Sequence, residues 1–337
     1  MAEIRIPAAV AGCRSRLEDA GYPAYLVGGC VRDLLLGRIP ADYDLTTAAW
    51  PEQVMELFER TVPTGLKHGT VTVLTADGPV EVTTFRREEG YADGRHPDRV
   101  SFDAGLFEDL ARRDFTVNAM AMDGSGAVTD PWEGRTDLEH KVIRCVGEPD
   151  ARFAEDALRM LRAIRFAAQL GFSIDAETAA ALARNADRTA LVSRERIRME
   201  MEKTLLSPRP EEIGGMLRLG LLAHLCPVRV PPDLTPLRSA APAPAPRWAA
   251  FCAATGFPLE ALPVERSLKR AVLHPEADAI RRLALSGGEI AALGLRGEEI
   301  GAAQKQLAAH ILSCPGDNTR ERLLELLEGT GDGCKTL

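Results

Sequence analysis

Asp42 and Asp44 stand two residues apart in Asp42-Tyr43-Asp44, at the head of a β-branched run. Side chains alternate along a strand, so residues two apart point the same way and their carboxylates can share one divalent ion. Oxygen donors of this kind suit magnesium, which keeps several waters and completes its shell from substrate phosphates. The chemistry such a pair serves is phosphoryl transfer, in which bound metal lowers the pKa of an attacking hydroxyl and steadies a pyrophosphate leaving group. A bare Asp-x-Asp reads as readily as a turn or a surface strand, so its neighbours decide. Upstream, a short apolar strand runs into Gly28-Gly29, with a helix expected from near Val31. Glycines let backbone amides approach a triphosphate with no Cβ in the way, and Arg32 falls where a helix start is already electropositive. The bland alternative is a tight strand-to-helix turn. Neither the GxGxxG nor the GxxxxGK[ST] phosphate loop occurs. Glu81, on the apolar-alternating run 80–85, is the candidate third carboxylate.

A second constellation lies further on. Asp156, Arg159, Arg162 and Arg165 recur every third residue beside Leu158, Leu161 and Ile164, which predicts one helix with a slowly winding polar stripe. Neighbours on such a stripe can meet a common flat ligand. A carboxylate only accepts hydrogen bonds and a guanidinium only donates them. Cytosine and adenine both present an amino donor beside a ring-nitrogen acceptor, whereas guanine and uracil present a carbonyl beside an N–H. An Asp156/Arg159 pair therefore accepts C and A and rejects G and U, because a wrong base leaves buried polar groups unpaired. The plain alternative is a solvated helix face; arginines without lysine favour planar recognition of bases and phosphates.

The elements that must position these groups follow from periodicity. A helix is expected over 8–20, then strands at 24–27, 43–47, 70–75 and 80–86; the turn Ala76-Asp77-Gly78-Pro79 predicts an antiparallel hairpin and hence a mixed sheet. After Pro149 helical periodicity takes over, giving an α/β mixed-sheet head followed by an all-α half. The expected division is a catalytic head over 1–145, a helical neck over 146–207, and a helical body and tail over 208–337. Residues 227–247 are rich in Pro and Ala and are expected to form a linker rather than a regular helix. Near the end, Asn318 with Glu321 three residues later has capping-box spacing.

Composition narrows the class. The 337 residues are 45% hydrophobic and 27% charged, which excludes a disordered or fibrous chain and allows more than one domain. No run is long and apolar enough for a membrane span, so a cytoplasmic protein is expected. Seven scattered cysteines without a CxxC pair argue against a zinc site or a disulfide framework. A net charge of −8 runs against nucleic-acid binding, but Arg184, Arg188, Arg194, Arg196, Arg198, Lys203 and Arg209 concentrate cations in one stretch, where a basic surface for RNA is expected. The loop Arg86 to Arg99 is polar and glycine-containing, and His68 and His96 lack partners at metal-ligand spacing.

The segments LVGGCVRDLLLGR and DYDLTT, followed in order by TTFRREEGYADGRHPDRVSF, DLARRDFTVNAMAMD, DPWEGRTDLEHKVIRCVG and EDALRMLRAIRFAAQLGF, resemble the nucleotidyltransferase superfamily, specifically the class II CCA-adding enzymes and poly(A) polymerases. The resemblance covers most of residues 22–172. It implies a magnesium-dependent enzyme that extends the acceptor end of tRNA from CTP and ATP, with no membrane and no obligate protein partner. It further implies that Asp156 and Arg159 contact the incoming base, that Arg162 and Arg165 support it or bind phosphate, that Arg113 contacts the nucleotide, and that Asn118 steadies the local backbone. A flexible loop at 86–99 is associated in such enzymes with the switch to A addition. Poly(A) polymerase and an enzyme adding only the final A remain the near alternatives; an RNA-binding module with an inactive head and a small-molecule nucleotidyltransferase are the distant ones.

Overall fold

The computed structural model describes residues 6–91, 99–227 and 233–331, so His96 and residues 228–232 of the 227–247 segment lie outside the described residues. Two compact units divide at Pro231/Pro232.

The first unit opens with helix α1 (Ala8–Asp19), which buries Val10, Cys13 and Leu17. Strand β1 (Ala24–Val27), helix α2 (Gly29–Leu35), strand β2 (Asp44–Thr47), helix α3 (Pro51–Leu57) and strands β3 (Thr61–Gly65), β4 (Thr70–Thr75) and β5 (Gly78–Thr84) follow. After them come the ribbon β6 (Arg87–Glu89) and β7 (Arg99–Ser101), helix α4 (Leu106–Ala111), and strands β8 (Ala121–Met122) and β9 (Val128–Thr129). The main sheet has seven strands in the order β3-β4-β5-β2-β1-β8-β9. It is mixed, as the hairpin chemistry of 76–79 predicts: β4 and β5 run antiparallel, and β2 and β5 run parallel. That parallel register sets Asp44 directly opposite Glu81. Helix α2 begins at Gly29, two residues earlier than expected, because Gly28 itself makes the turn with φ +75°.

Helix α5 (Gly134–His140) and strand β10 (Val142–Ile143) lead into helices α6 (Pro149–Glu155) and α7 (Leu158–Leu170), strand β11 (Ser173–Ile174), and helices α8 (Ala176–Arg184), α9 (Arg194–Leu205) and α10 (Gly214–Arg218). The half expected to be all helical thus contains one short strand, and β11 pairs in parallel with β10. The β10–β11 pair is a separate two-stranded sheet, and α7 packs on it and on α9; the head expected over 1–145 and the helices that follow it fall in one compact unit that continues to Pro231. Helix α7 buries Met160, Leu161, Ala163 and Ile164 and stops at Gly171, whose φ of +74° is the left-handed cap that glycine accepts without a Cβ penalty.

The second unit is helical: α11 (Pro236–Ser239), α12 (Pro244–Thr255), α13 (Arg266–Leu273), α14 (Pro275–Arg282), α15 (Gly287–Ala292), α16 (Glu298–Ser313) and α17 (Arg320–Gly331). The expectation that 227–247 stays out of regular helix is corrected for its second half. Pro236 and Pro244 open helices, where a missing N–H costs nothing because the first turn has no partner for it. Trp248, Phe251 and Phe257 form an aromatic cluster, and Ala279, Leu285, Ile290, Leu307 and Leu323 form a second core. Ser286 and Glu289 cap α15 reciprocally. Asn318 does not cap α17; its amide bridges Arg282 O and Ala284 N, and the Thr319 hydroxyl accepts from Arg322 N instead. Among the described residues no helix is long and apolar enough to cross a membrane.

Gly134 is the tightest point behind the site. Its N–H is fixed to Asp130, and an added Cβ would overlap the Thr116 carbonyl in the turn that carries Asn118. Gly134→Ala should therefore cost about 1–3 kcal/mol of stability; unchanged denaturant unfolding of the variant would contradict this.

Candidate active site

Asp44 is the first residue of β2, and Asp42 sits in the exposed bend before it rather than on the strand. The expected alternation is therefore replaced by a bend and a strand end that keep the two charges near each other. Burial, then Asp42, then Glu81 push the Asp44 carboxyl up from its ordinary 3.8 to about 6, against the opposing charge of Arg113. Crowded carboxylates of this kind fit a divalent cation, which would relieve their repulsion. The oxygens of Asp42, Asp44 and Glu81 do not all lie within 4.8 Å of one another; Glu81 is exposed and joins as the register partner of Asp44.

Arg113 closes over Gly28. A Cβ there would stand 3.0 Å from the Arg113 Nη1, so the second function of this glycine is to admit the guanidinium. Gly29 contributes the first turn of α2, close under the Arg32 guanidinium. Arg113 is held by Asp109, which accepts from its Nη2 at 3.1 Å, from Arg112 at 2.7 Å and from the Thr46 hydroxyl at 3.2 Å. Burial pushes the Asp109 carboxyl up, but the two arginines outweigh it and the net shift is downward. Sequence reasoning passed over Asp109, whose only sequence signal is its place one helical turn before the Arg112-Arg113 pair. The Arg113 Nε–H is buried without a hydrogen-bond partner, a donor that suits an anion.

Arg32 is buried and donates to the Asn118 Oδ1 at 2.7 Å. Asn118 passes its own amide to Asp114 at 3.2 Å, so it fixes Arg32 and Asp114 more than the backbone around it. Burial raises the Asp114 carboxyl, yet the charge and hydrogen bond of Arg162 and the bond from Asn118 bring it down to about 2. The Arg162 Nη2 is 2.6 Å from it. Three guanidiniums surround the Phe166 ring, with Arg165 at 4.0 Å, Arg162 at 5.2 Å and Arg32 at 5.3 Å from its centroid. Phe166 thereby joins α2, which follows the glycine turn, to α7. Its role has no sequence signal beyond an apolar helix position.

The 156–165 stripe needs correction. Asp156 caps α6 and precedes α7, so acid and arginines do not share one helix. The break exists because the Asp156 Oδ1 accepts from Leu158 N at 3.0 Å, starting a new helix. Arg196 of α9 grips the same carboxylate with two bonds, 3.2 Å to Oδ1 and 2.7 Å to Oδ2. Of the roughly four lone-pair positions of a carboxylate, one on Oδ2 is left. Arg159 is tied to the carbonyls of Arg152 and Arg112 and to Glu155, which leaves its Nε–H and one Nη2–H. The two groups thus retain one acceptor and two donors. Arg165 turns away to Glu200 at 2.6 Å and to Gln169, and it is buried.

The basic stretch is partly neutralised. Arg184, Arg196, Arg198 and Arg209 pair with Asp150, Asp156, Glu202 and Glu212, while Arg188, Arg194 and Lys203 are exposed. The 86–99 segment starts and ends in the β6–β7 ribbon, and the Tyr91 hydroxyl donates to Glu88, which also meets Arg112. His68 lends its backbone carbonyl to Arg86.

A mixed sheet with Asp44 at the start of one strand opposite Glu81 on the next, a glycine turn under two arginines and a guanidinium-rich helix behind them defines a nucleotidyltransferase head. The family described as the poly A polymerase head domain matches residues 24–144, and that described as the probable RNA and SrmB-binding site of polymerase A matches residues 171–229. A CCA-adding enzyme of Lactiplantibacillus plantarum is 52% identical over 210 residues, covering 62% of this chain and 52% of that protein. One of Geobacillus kaustophilus is 47% identical over 251 residues, covering 72% and 62%. The chain spans about half the length of the curated relatives it matches. The crystal structure of the Bacillus stearothermophilus CCA-adding enzyme in complex with CTP superposes with a TM-score of 0.70 at 30% identity, covering 98% of this chain and all of that one. The chain belongs to the family of CCA-adding tRNA nucleotidyltransferases and poly(A) polymerases.

The raised Asp44 pKa has a readable sign. Between pH 3.8 and about 6 the folded protein keeps a proton that the unfolded chain has released, so this group's contribution to stability falls as pH rises through that window and stays low above it. The shift is worth on the order of 3 kcal/mol. Stabilisation by a divalent cation should therefore be small at pH 5, grow through pH 6 and level off by pH 7.5, and it should shrink in Asp42→Asn. Melting temperatures with and without the cation measure it; a gap independent of pH would refute it.

Proposed function

We propose that this protein completes the 3′ end of tRNA by adding C, C and A from CTP and ATP, without a nucleic-acid template and with release of pyrophosphate. The observation that carries the reading is the pairing of a carboxylate cluster on the sheet with an acceptor and donors at Asp156 and Arg159, in a chain that matches a CTP-bound CCA-adding enzyme along its whole length. Asp42 and Asp44, with Glu81 beside them, are the groups suited to hold Mg2+. When bound, this ion lowers the pKa of the terminal 3′ hydroxyl and neutralises the departing pyrophosphate. The oxygen of that hydroxyl, its proton released to solvent, bonds to the α-phosphorus as the bond to the pyrophosphate oxygen breaks. Arg32 and Arg113 lie where they can meet phosphate oxygens, and Arg162 keeps Asp114 and Asn118 set behind Arg32.

Base choice rests on the groups left open. Asp156 accepts from the amino group of cytosine or adenine, and Arg159 donates to the ring nitrogen. Guanine or uracil would leave an acceptor facing an acceptor, at about 1–3 kcal/mol for each unpaired buried group. The exposed Arg188, Arg194 and Lys203 suit phosphates of the acceptor stem, and the setting where tRNA, ATP and CTP meet is the cytoplasm. The poly(A) reading is kept because the head matches a family described by that activity.

Purified protein with magnesium and tRNAs ending before the first C, after one C or after CC separates these readings. Ordered incorporation of C, C and A, with no U or G, is expected; continued A addition to unrelated RNA ends selects the polymerase. Asp42→Asn and Asp44→Asn should each lower incorporation by roughly 10³-fold or more, and retained activity in both would remove the basis of the proposal. Arg196→Leu frees the Asp156 carboxylate to turn, so KM for CTP and ATP should rise about tenfold and UMP incorporation should become detectable. An unchanged C-over-U ratio would deny Arg196 that role.

A further inference from the structure

His310, Cys314 and Asp317 lie in the second unit, outside everything the proposed reaction uses. His310 and Cys314 are one helical turn apart at the end of α16, and the single turn Pro315–Asp317 folds Asp317 back toward them. One donor atom from each falls within 4.8 Å of the other two, and they are the one trio of His, Cys, Asp or Glu among the described residues that does so. We propose that this trio is a three-ligand site for a borderline transition-metal ion, zinc in kind, with water in the fourth position.

The donor chemistry points to the ion. A thiolate with an imidazole and one carboxylate suits zinc and disfavours magnesium, which takes oxygen almost alone. Tetrahedral zinc with bonds of about 2.0–2.3 Å separates its ligand atoms by roughly 3.5 Å. The His310 Nε2 and the Asp317 Oδ2 are now 2.7 Å apart in a hydrogen bond, so they need only part slightly. On binding, Nε2 gives up the proton it shares with Asp317 and coordinates through the freed lone pair, the neutral ring keeping its one proton on Nδ1, and the thiol proton of Cys314 goes to solvent. Arg322 stands 3.8 Å from the same Oδ2, but its Nη1 is bonded to Glu325 at 2.7 Å on the far side.

Packing does not explain the cysteine. Cys13, Cys30, Cys145 and Cys226 are buried, whereas Cys314 is exposed at a helix end and fills no core. The trio also sits at the corner between α16 and α17, and Ile311 and Leu323 on either side of that corner belong to one core. An ion there would close the corner and add its binding energy to the stability of this unit.

The test uses the full chain, purified after chelation, with Co2+ as the spectroscopic probe and Zn2+ as competitor. One equivalent of Co2+ should produce a thiolate-to-cobalt charge-transfer band, Zn2+ should remove it, and excess Mg2+ should not. Cys314→Ser and His310→Gln should lose the band and weaken Zn2+ binding by at least roughly 100-fold, with folding checked by circular dichroism. Cys334→Ser, which removes the other thiol near the C-terminus, should keep it. A folded wild-type protein without the band, or a band of equal strength in Cys314→Ser, overturns the proposal. Neither outcome depends on nucleotide incorporation.

Discussion

The head is organised around a concentration of negative charge that has no protein cation to neutralise it fully. Asp44 is crowded by Asp42 and Glu81, and Arg113 opposes them without cancelling the upward shift. A folded protein keeps such a cluster where a cation from outside can supply the compensating charge. The parallel pairing of β2 with β5 enforces the crowding, because it fixes Glu81 opposite Asp44 whatever the side chains prefer.

The surrounding arginines show the reverse treatment. Arg32, Arg112, Arg159, Arg162, Arg165 and Arg196 are each bound to a carboxylate or amide acceptor, so their forks are immobilised before any ligand arrives. Under the proposed reaction such prior orientation would let a base be read by groups that do not reorganise on binding. What Asp156 and Arg159 have open is the set of lone pairs and N–H groups that Arg196, Leu158, Glu155 and two carbonyls leave over.

Phe166 gives the unit its mechanical link. Three guanidiniums against one ring, and the edge-on contact of Phe115, hold the helix after the glycine turn against the arginine helix. Displacement of either helix would disturb both Arg32 beside the glycine turn and the Asp114–Arg162 pair.

The amino-acid order by itself determined the main elements of the head and the residue types that could do chemistry there. Gly28-Gly29, Asp42-x-Asp44 and the hairpin at 76–79 carry their signals locally, in backbone freedom, charge spacing and turn composition, and the mixed sheet follows from them. The three-residue recurrence of arginine likewise marked α7, although the break at Asp156 was hidden because a helix cap and a helix interior look alike in a charged sequence. Tertiary structure alone decided who pairs with whom. Asp109 holding Arg113, Arg196 gripping Asp156 from 40 residues away, and Arg165 turning to Glu200 are long-range choices among many arginines and many acids. Periodicity cannot select among them, because opposite charge permits many pairings and only the folded positions of the two backbones pick one.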